Sequence, residues 1–456
     1  MKRYIIIPLA AAALLSSCTV GDTIKDISSS VTRLKKYGVN TPNYNIENKA
    51  AQQYLSYGPY SSFGATSYFE THVDVLNRDL CIDQDAPATV DLSWEGGATA
   101  HYTINYTDIH SSREYTVSVT GPSGSITNLV PGHYYTYYVA DESGMSVKVG
   151  DFKVTGQLRM VTIADSWNWR DLGGWTGLGG NPIAYEWLYR GGSLNGTWTA
   201  KEKPAYSTVG TPANYVMSAA GSQQIRDLGI KAELDLRGKT DEGLWGDESG
   251  IHSRSILEPH IPIAAADYKQ IMTDGGLTRP LKCYSVVQDV AWIIQKVVHE
   301  KKPVAFHCKS GADRTGAMGM IIEALLGVAP GDIARDYELT ALSHEKRILN
   351  GKSSFQMRRA DQTTSDFFQR GFTTLTLPTS PHDTSKAQLM QSQAYYYLNQ
   401  YFAKDGIAIS ARDLDAFIMH MLGMSAKDYA PYRHTWAKNY NHSLESIYSK
   451  VQKFEK

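Results

Sequence analysis

The sequence predicts two folded parts of different class, a small β-rich module and then a larger α/β domain. Three observations carry this. Between about residues 71 and 156, short alternating runs recur with turn signals between them. From Val304 to Leu325, a short apolar strand runs into a tight loop and then a helical pattern. Finally, 456 residues with 42% hydrophobic and 20% charged content suffice for two or three packed domains and exclude wholesale disorder. The 45 basic and 46 acidic residues leave a formal charge of −1, which argues against a nucleic-acid partner. Four cysteines cannot form a disulfide framework for a chain this long, so each is read alone.

The first element is an address. Lys2 and Arg3 precede the apolar run Tyr4 to Leu15, which is too short to span a bilayer as a helix. The run ends in Leu15-Ser16-Ser17-Cys18, which resembles a bacterial lipobox. Residues 1–17 are then a lipoprotein signal peptide, and Cys18 carries the lipid. The expected location is the cell envelope, periplasmic or surface-facing, held to a membrane by acyl chains. Residues 18–70 are polar and read as a tether with little structure of its own.

Strand signals follow over 71–156. Thr89 to Trp94, Tyr102 to Tyr106, Tyr115 to Val119, Tyr134 to Val139 and Val149 to Val154 are the candidates, with Gly121-Pro122-Ser123-Gly124 read as a turn. An early Trp and a Tyr-rich late strand suggest a two-sheet sandwich. The stretch resembles a fibronectin type III or other immunoglobulin-like domain, including Leu129-x-Pro131-Gly132 followed by tyrosines. It holds no evident catalytic cluster, so it reads as a spacer or docking module, with carbohydrate or partner binding as the alternative. Cys81, just before it, reads as a small buried apolar residue.

The chemistry concentrates in His307-Cys308-Lys309-Ser310-Gly311-Ala312-Asp313-Arg314-Thr315-Gly316. Strand, tight loop and helix aim backbone N–H groups at an anion. Cysteine, five residues, arginine and threonine wrap such a loop into a cup over 309–314. The thiolate of Cys308 sits at the bottom as nucleophile, and the planar fork of Arg314 pairs with phosphate oxygens. Thr315 is placed to donate to the sulfur, and His307 to fix the strand side of the loop.

This loop resembles the signature loop of cysteine-dependent protein-tyrosine and dual-specificity phosphatases. The Asp313-Arg314-Thr315-Gly316 ending resembles a bacterial family of tyrosine/serine and lipid phosphatases. Four further runs are similar to that family's: Asn168-Trp169-Arg170-Asp171-Leu172-Gly173-Gly174, Leu188 to Leu194, Leu234-Asp235-Leu236-Arg237, and Asp336 to Thr340. The chain departs at Trp169, where the family has Phe, and at Ala312, where Lys is common. Lys309 then supplies positive charge from another point of the rim. The resemblance implies the cysteine-phosphatase fold, a central mostly parallel sheet flanked by helices, over 157–456 with a helical C-terminal part. It also implies an enzyme that cleaves phosphate monoesters through a phosphocysteine.

A general acid must protonate the leaving oxygen. The resemblance points to Asp313, with a loop-bracing carboxylate as the competing reading, and Asp171 and Asp267 stand behind it. Arg170, Asp171 and Arg237 read as an ion-pair frame around the site. No His-x-x-x-His or Cys-x-x-Cys pair occurs, so neither metal nor other cofactor is expected. Cys283 reads as a core thiol, or alternatively as a reversible disulfide partner of Cys308. Residues 285–299 carry a helical apolar face, and the polar stretch 343–384 reads as a solvated insertion or substrate rim. The expected substrate is a phosphorylated peptide or protein, with a phosphoinositide or inositol phosphate as the rival. A phosphate-binding module without turnover is the reading from outside enzymology.

Overall fold

The structure, a computed structural model, describes residues 41–56, 84–164, 166–192, 194, 219–236, 263–265, 284–308, 311–343, 347–349, 352–354, 387–388, 390–392, 394–395, 398–399 and 410–433. Contacts divide the chain into two units. One comprises Met1–Glu47 and Pro87–Arg159, the other Asn48–Ala86 and Met160–Lys456.

The first unit is all β. Its strands are β1 (Asn43–Asn45), β2 (Val90–Ser93), β3 (His101–Asp108), β4 (Glu114–Thr120), β5 (Ser123–Ile126), β6 (Tyr134–Asp141) and β7 (Ser146–Thr155). They form a five-stranded sheet in the order β1-β7-β6-β3-β4 and a two-stranded sheet of β2 and β5. Alternation does what the pattern requires: along β3, Tyr102, Ile104 and Tyr106 point into the core. There they meet Val90, Leu92 and Trp94 from the smaller sheet, together with Phe152 and Val154. Trp94 meets Tyr102 edge to face at 5.3 Å.

Two expectations need correction in this unit. Ser123 and Gly124 belong to strand β5 and not to the turn: they pair with Ser93 and Leu92, so the turn is confined to Gly121 and Pro122. The stretch read as an unstructured tether also contains order. Asn43–Asn45 pairs in parallel with Lys153–Thr155, and Ile46 enters the core. Backbone hydrogen bonds and a single buried apolar side chain suffice to recruit a segment whose composition is polar.

The second unit begins with α1 (Lys49–Ser56), which buries Ala50, Ala51 and Tyr54. Asn48 caps it, its Oδ1 accepting from Ala51 N at 2.8 Å, while its Nδ2 donates to the carbonyls of Gln84 and Ala86. Residues 84–86, read from sequence as the lead of the β module, belong here too. Gln84 N donates to Leu342 O, and Asp85 accepts from Asn168 N and from Ser343 Oγ at 2.6 Å.

Its central sheet has the order β11-β10-β12-β9-β8. The strands are β8 (Arg170–Asp171), β9 (Leu188–Gly191), β10 (Ala232–Asp235), β11 (Ile263–Ala265) and β12 (Val304–His307). Strands β9, β12, β10 and β11 run parallel, and β8 pairs antiparallel to β9. Every residue of β9, β10 and β12 is buried, including the charged Arg190, Glu233 and Asp235, as expected of a parallel sheet covered on both faces. The helices are α2 (Ala219–Asp227), α3 (Tyr284–Val298), α4 (Asp313–Leu325), α5 (Pro330–Glu338) and α6 (Ala411–Met421). α3 buries Val290, Ile293, Ile294 and Val297 on its predicted face. α4 ends as its sequence requires, at Gly327 in the left-handed region with φ 76°. α5 starts on Pro330, and α6 on a Ser410/Asp413 capping box. Within 343–384, Arg347–Leu349 and Lys352–Ser354 form a short hairpin.

A Tyr54→Ala change tests whether 48–56 is structural. The side chain is fully buried, so the second unit should lose about 3 kcal/mol, read as a lower thermal midpoint. An unchanged midpoint would return the segment to the role of tether.

Candidate active site

Parallel strands place their carboxyl ends on one edge, and ligand sites of α/β sheets form there. Three neighbours end together: β9 at Gly191, β12 at His307 and β10 at Asp235. Cys308 follows β12 directly. It is 2% exposed and not in a disulfide. Ala312 occupies the cap position of α4 and offers no side-chain acceptor to the helix. The first N–H groups of α4 therefore lack the partner that Ser or Asp would give, at a cost of about 1 kcal/mol, and face the loop that holds the cysteine. Arg314, half-buried in the first turn, donates from Nη1 to Leu236 O at 3.2 Å.

The conformation of the loop is fixed from behind. Gly311 has φ 70°, and a Cβ there would lie 2.5 Å from the carbonyl carbon of Gly191. Only glycine fits that approach. Its carbonyl accepts from Arg190 Nη2 at 3.3 Å. In a trans peptide the carbonyl and the following N–H point in opposite directions. Arg190 thus directs the Ala312 N–H away from the buried network behind the loop.

That network centres on Asp336, which is 0% exposed. Its carboxylate accepts from Arg170 Nε at 2.9 Å, from Arg190 Nη1 and from Trp175 Nε1. Arg170 also donates to Asp336 O at 2.6 Å and to Asn168 Oδ1 at 2.8 Å. Burial alone would push Asp336 up, but the Arg170 and Arg190 guanidiniums more than offset it and hold the carboxyl below its ordinary value. Glu323 of α4 faces the same group, and neither of its oxygens has a hydrogen-bond partner. Burial, reinforced by the charge of Asp336, pushes Glu323 well above its ordinary value. Helix α4 accommodates the arginine because residue 319 is glycine: a Cβ there would meet Arg190 Nη1 at 2.9 Å.

The strand side is braced separately. His307 Nε2 lies 2.8 Å from Glu233 Oε1, and its Nδ1 lies 3.2 Å from the carbonyl oxygen of Cys308 and 4.0 Å from Asp235 Oδ1. All three side chains are fully buried. They form one of two sets of His and carboxylate donors, among the described residues, whose atoms lie within 4.8 Å of one another. In each set two donors lie two positions apart and the third comes from another part of the chain, so neither set shows as a His-x-x-x-His or Cys-x-x-Cys pair. For His307 the hydrogen bonds favour the bracing role read from its position.

The predicted site residues divide as follows. Cys308, Gly311, Ala312, Arg314 and Thr315 lie together from the end of β12 to the first turn of α4. Thr315 Oγ1 is buried but makes no hydrogen bond, so the anticipated donation to the sulfur is not made. Asp171 is not placed to act as an acid: its two oxygens accept from Gly173 N at 2.8 Å and Glu186 N at 2.7 Å, tying down the turn after β8. Arg170 belongs to a frame, but its partner is Asp336 and not Asp171. Asp313 opens α4, with its side chain outside the described residues, as are Lys309, Ser310, Arg237, Asp267, Cys18, Cys81 and Cys283. Sequence reasoning overlooked Arg190 and Asp336 as site residues. Both lie in runs that carried the resemblance, and their pairing across 146 residues was the missing information.

Fold and loop together place a buried thiol between the end of a central parallel strand and the start of a helix. Residues 211–434 match the sequence profile of the tyrosine phosphatase family. A protein of Cupriavidus necator, designated by name a candidate tyrosine-protein phosphatase, is 26% identical over 184 residues. That alignment covers 37% of this chain, and the chain spans 59% of the relative's length. Both findings support a phosphatase, a hydrolase of phosphate esters.

Two outcomes test the frame. Arg190→Lys keeps the charge and loses the fork. Turnover of an aryl phosphate should fall about 10²-fold with the fold retained; unaltered turnover would show that the Gly311 peptide is held without the fork. Glu323→Gln tests the buried carboxyl. A carboxyl raised in the folded state contributes stability that is present below its unfolded value and is lost as pH rises through the folded value. The amide mimics the protonated acid, so the midpoint gain of Glu323→Gln over the parent should grow across roughly pH 4 to 8. A gain independent of pH would show that Glu323 does not titrate differently on folding.

Proposed function

We propose that the second unit hydrolyses phosphate monoesters through a phosphocysteine, with phosphotyrosine-type peptides or proteins as the principal substrate class. The observation that carries this is the placement of Cys308: a buried thiol at the carboxyl end of the central strand, facing a helix N-terminus without a side-chain cap, with Arg314 one turn away. The Cys308 thiolate attacks phosphorus in line, the P–O bond to the substrate breaks, and the departing oxygen takes a proton. Asp313 is the proposed donor, following the family pattern. Water then attacks the phosphocysteine, releasing inorganic phosphate and returning the thiolate. Loop N–H groups and Arg314, freed from Leu236 O, carry the charge on the equatorial oxygens. Thr315 donates to the departing sulfur once its rotamer turns toward it.

The rest of the reading is of the same standing. Cys18 anchors the chain by lipid to an envelope membrane. The first unit is an immunoglobulin- or fibronectin III-like docking module. A phosphoinositide or inositol phosphate is the second substrate class, because Ala312 removes one rim charge and leaves Lys309 to supply another.

Wild type and Cys308→Ser should be compared on a phosphotyrosine peptide, inositol hexakisphosphate and an aryl phosphate, each with chelator and with vanadate. The expected outcome is peptide and aryl phosphate turnover that resists chelator, is blocked by vanadate and is lost at least 10³-fold in Cys308→Ser. Equal rates for the two proteins would remove the phosphocysteine.

A further inference from the structure

The second set of convergent donors lies in the first unit, in a module for which sequence reading found no chemistry. Asp108 closes strand β3 and its side chain is fully buried. His110 sits in the turn after it, half exposed, and His133 immediately precedes β6. Asp108 Oδ2 lies 2.8 Å from His133 Nδ1, and Asp108 Oδ1 lies 4.0 Å from His110 Nδ1. The two imidazoles stack with centroids 4.3 Å apart. One donor atom from each residue falls within 4.8 Å of the others.

The carboxylate is fixed before any ligand arrives. It accepts from His110 N at 2.8 Å and from Ser111 Oγ at 3.0 Å, both within its own turn. Strand pairing sets the other side: Asp108 is in register with Tyr135, two residues beyond His133. Two imidazoles separated by 23 positions are thus brought together over one oriented carboxylate by the β3–β6 ladder. A borderline divalent ion takes nitrogen and oxygen ligands at about 2.0–2.2 Å, so two of its ligands are at most about 4.2 Å apart. The Asp108–His133 and Asp108–His110 separations already meet this limit, and the exposed His110 side chain can close the remaining edge. Lys153 is the nearby cation, and its ammonium is directed over the Tyr134 ring at 5.2 Å.

We propose that Asp108, His110 and His133 form a surface site for a divalent transition-metal ion such as Zn²⁺ or Ni²⁺, with the open positions filled by water or a partner's donor. Two imidazoles and one carboxylate select this class over Mg²⁺ or Ca²⁺, which prefer oxygen-only sets. The site is separate from Cys308 and independent of the phosphatase reading.

The test uses the full chain carrying Cys308→Ser, which removes that thiol as a competing ligand. After chelator and dialysis, Ni²⁺ and Zn²⁺ are titrated by calorimetry, and the thermal shift with each ion is recorded. One equivalent should bind saturably, and His110→Ala and His133→Ala should each weaken binding by at least ~10-fold. The exposed position of His110 keeps the test sound if the His133 or Asp108 variants unfold. Lack of saturable binding, or binding that both histidine variants leave unaltered, would overturn the site. Equal affinity for Mg²⁺ would overturn its chemical class.

Discussion

A single buried carboxylate holds the second unit of this molecule together. Asp336 on α5 accepts from Arg170 on β8 and Arg190 on β9, and both arginines are almost fully enclosed. Separately, each of these charges would be costly to bury; together they satisfy one another, and loss of either sign would strand the remainder. The group fastens one edge of the sheet to the helix after α4. Through Arg190 it also reaches the carbonyl of Gly311, so the charge pairing that closes the fold also sets one peptide of the phosphate loop.

What the sequence disclosed, and what it concealed, follows from the range of the interactions. The loop from Cys308 to Thr315 was legible because its chemistry is local: nucleophile, turn, helix start and arginine lie within eight residues. β12 was legible as a short apolar run and α3 as a periodic face, whereas β9 and β10, which carry Arg190, Glu233 and Asp235, entered only through the runs that resemble the family. The frame was assigned to Arg170, Asp171 and Arg237 because ion-pair networks use such residues. The structure gives Arg170 a partner 166 residues away and turns Asp171 to the backbone amides of Gly173 and Glu186. Long-range pairing of like residues leaves no periodic signal.

The same limit explains the first unit. Its strands were legible from alternation, but Asn43–Asn45 joins the sheet by backbone hydrogen bonds, to which composition is indifferent. The Asp108, His110 and His133 cluster escaped a search for closely spaced ligands because β3 and the start of β6, adjacent in space, are distant in sequence. Local rules identify elements, and register decides which side chains meet.

The near-zero charge of the whole chain acquires a local counterpart behind the loop. Arg170 and Arg190 contribute two positive charges and Asp336 one negative charge. Burial pushes Glu323 well above its ordinary value, which disfavours a second negative charge beside them. Two buried guanidiniums stand against the one hydrogen-bonded carboxylate, and one of them is bonded to the loop itself. In a low-dielectric surround such a charge acts over a longer range than the same charge at the surface. The loop thus combines three sources of positive potential: the helix N-terminus, Arg314 and the buried arginine pair behind. The absence of a lysine at position 312 leaves these three in place.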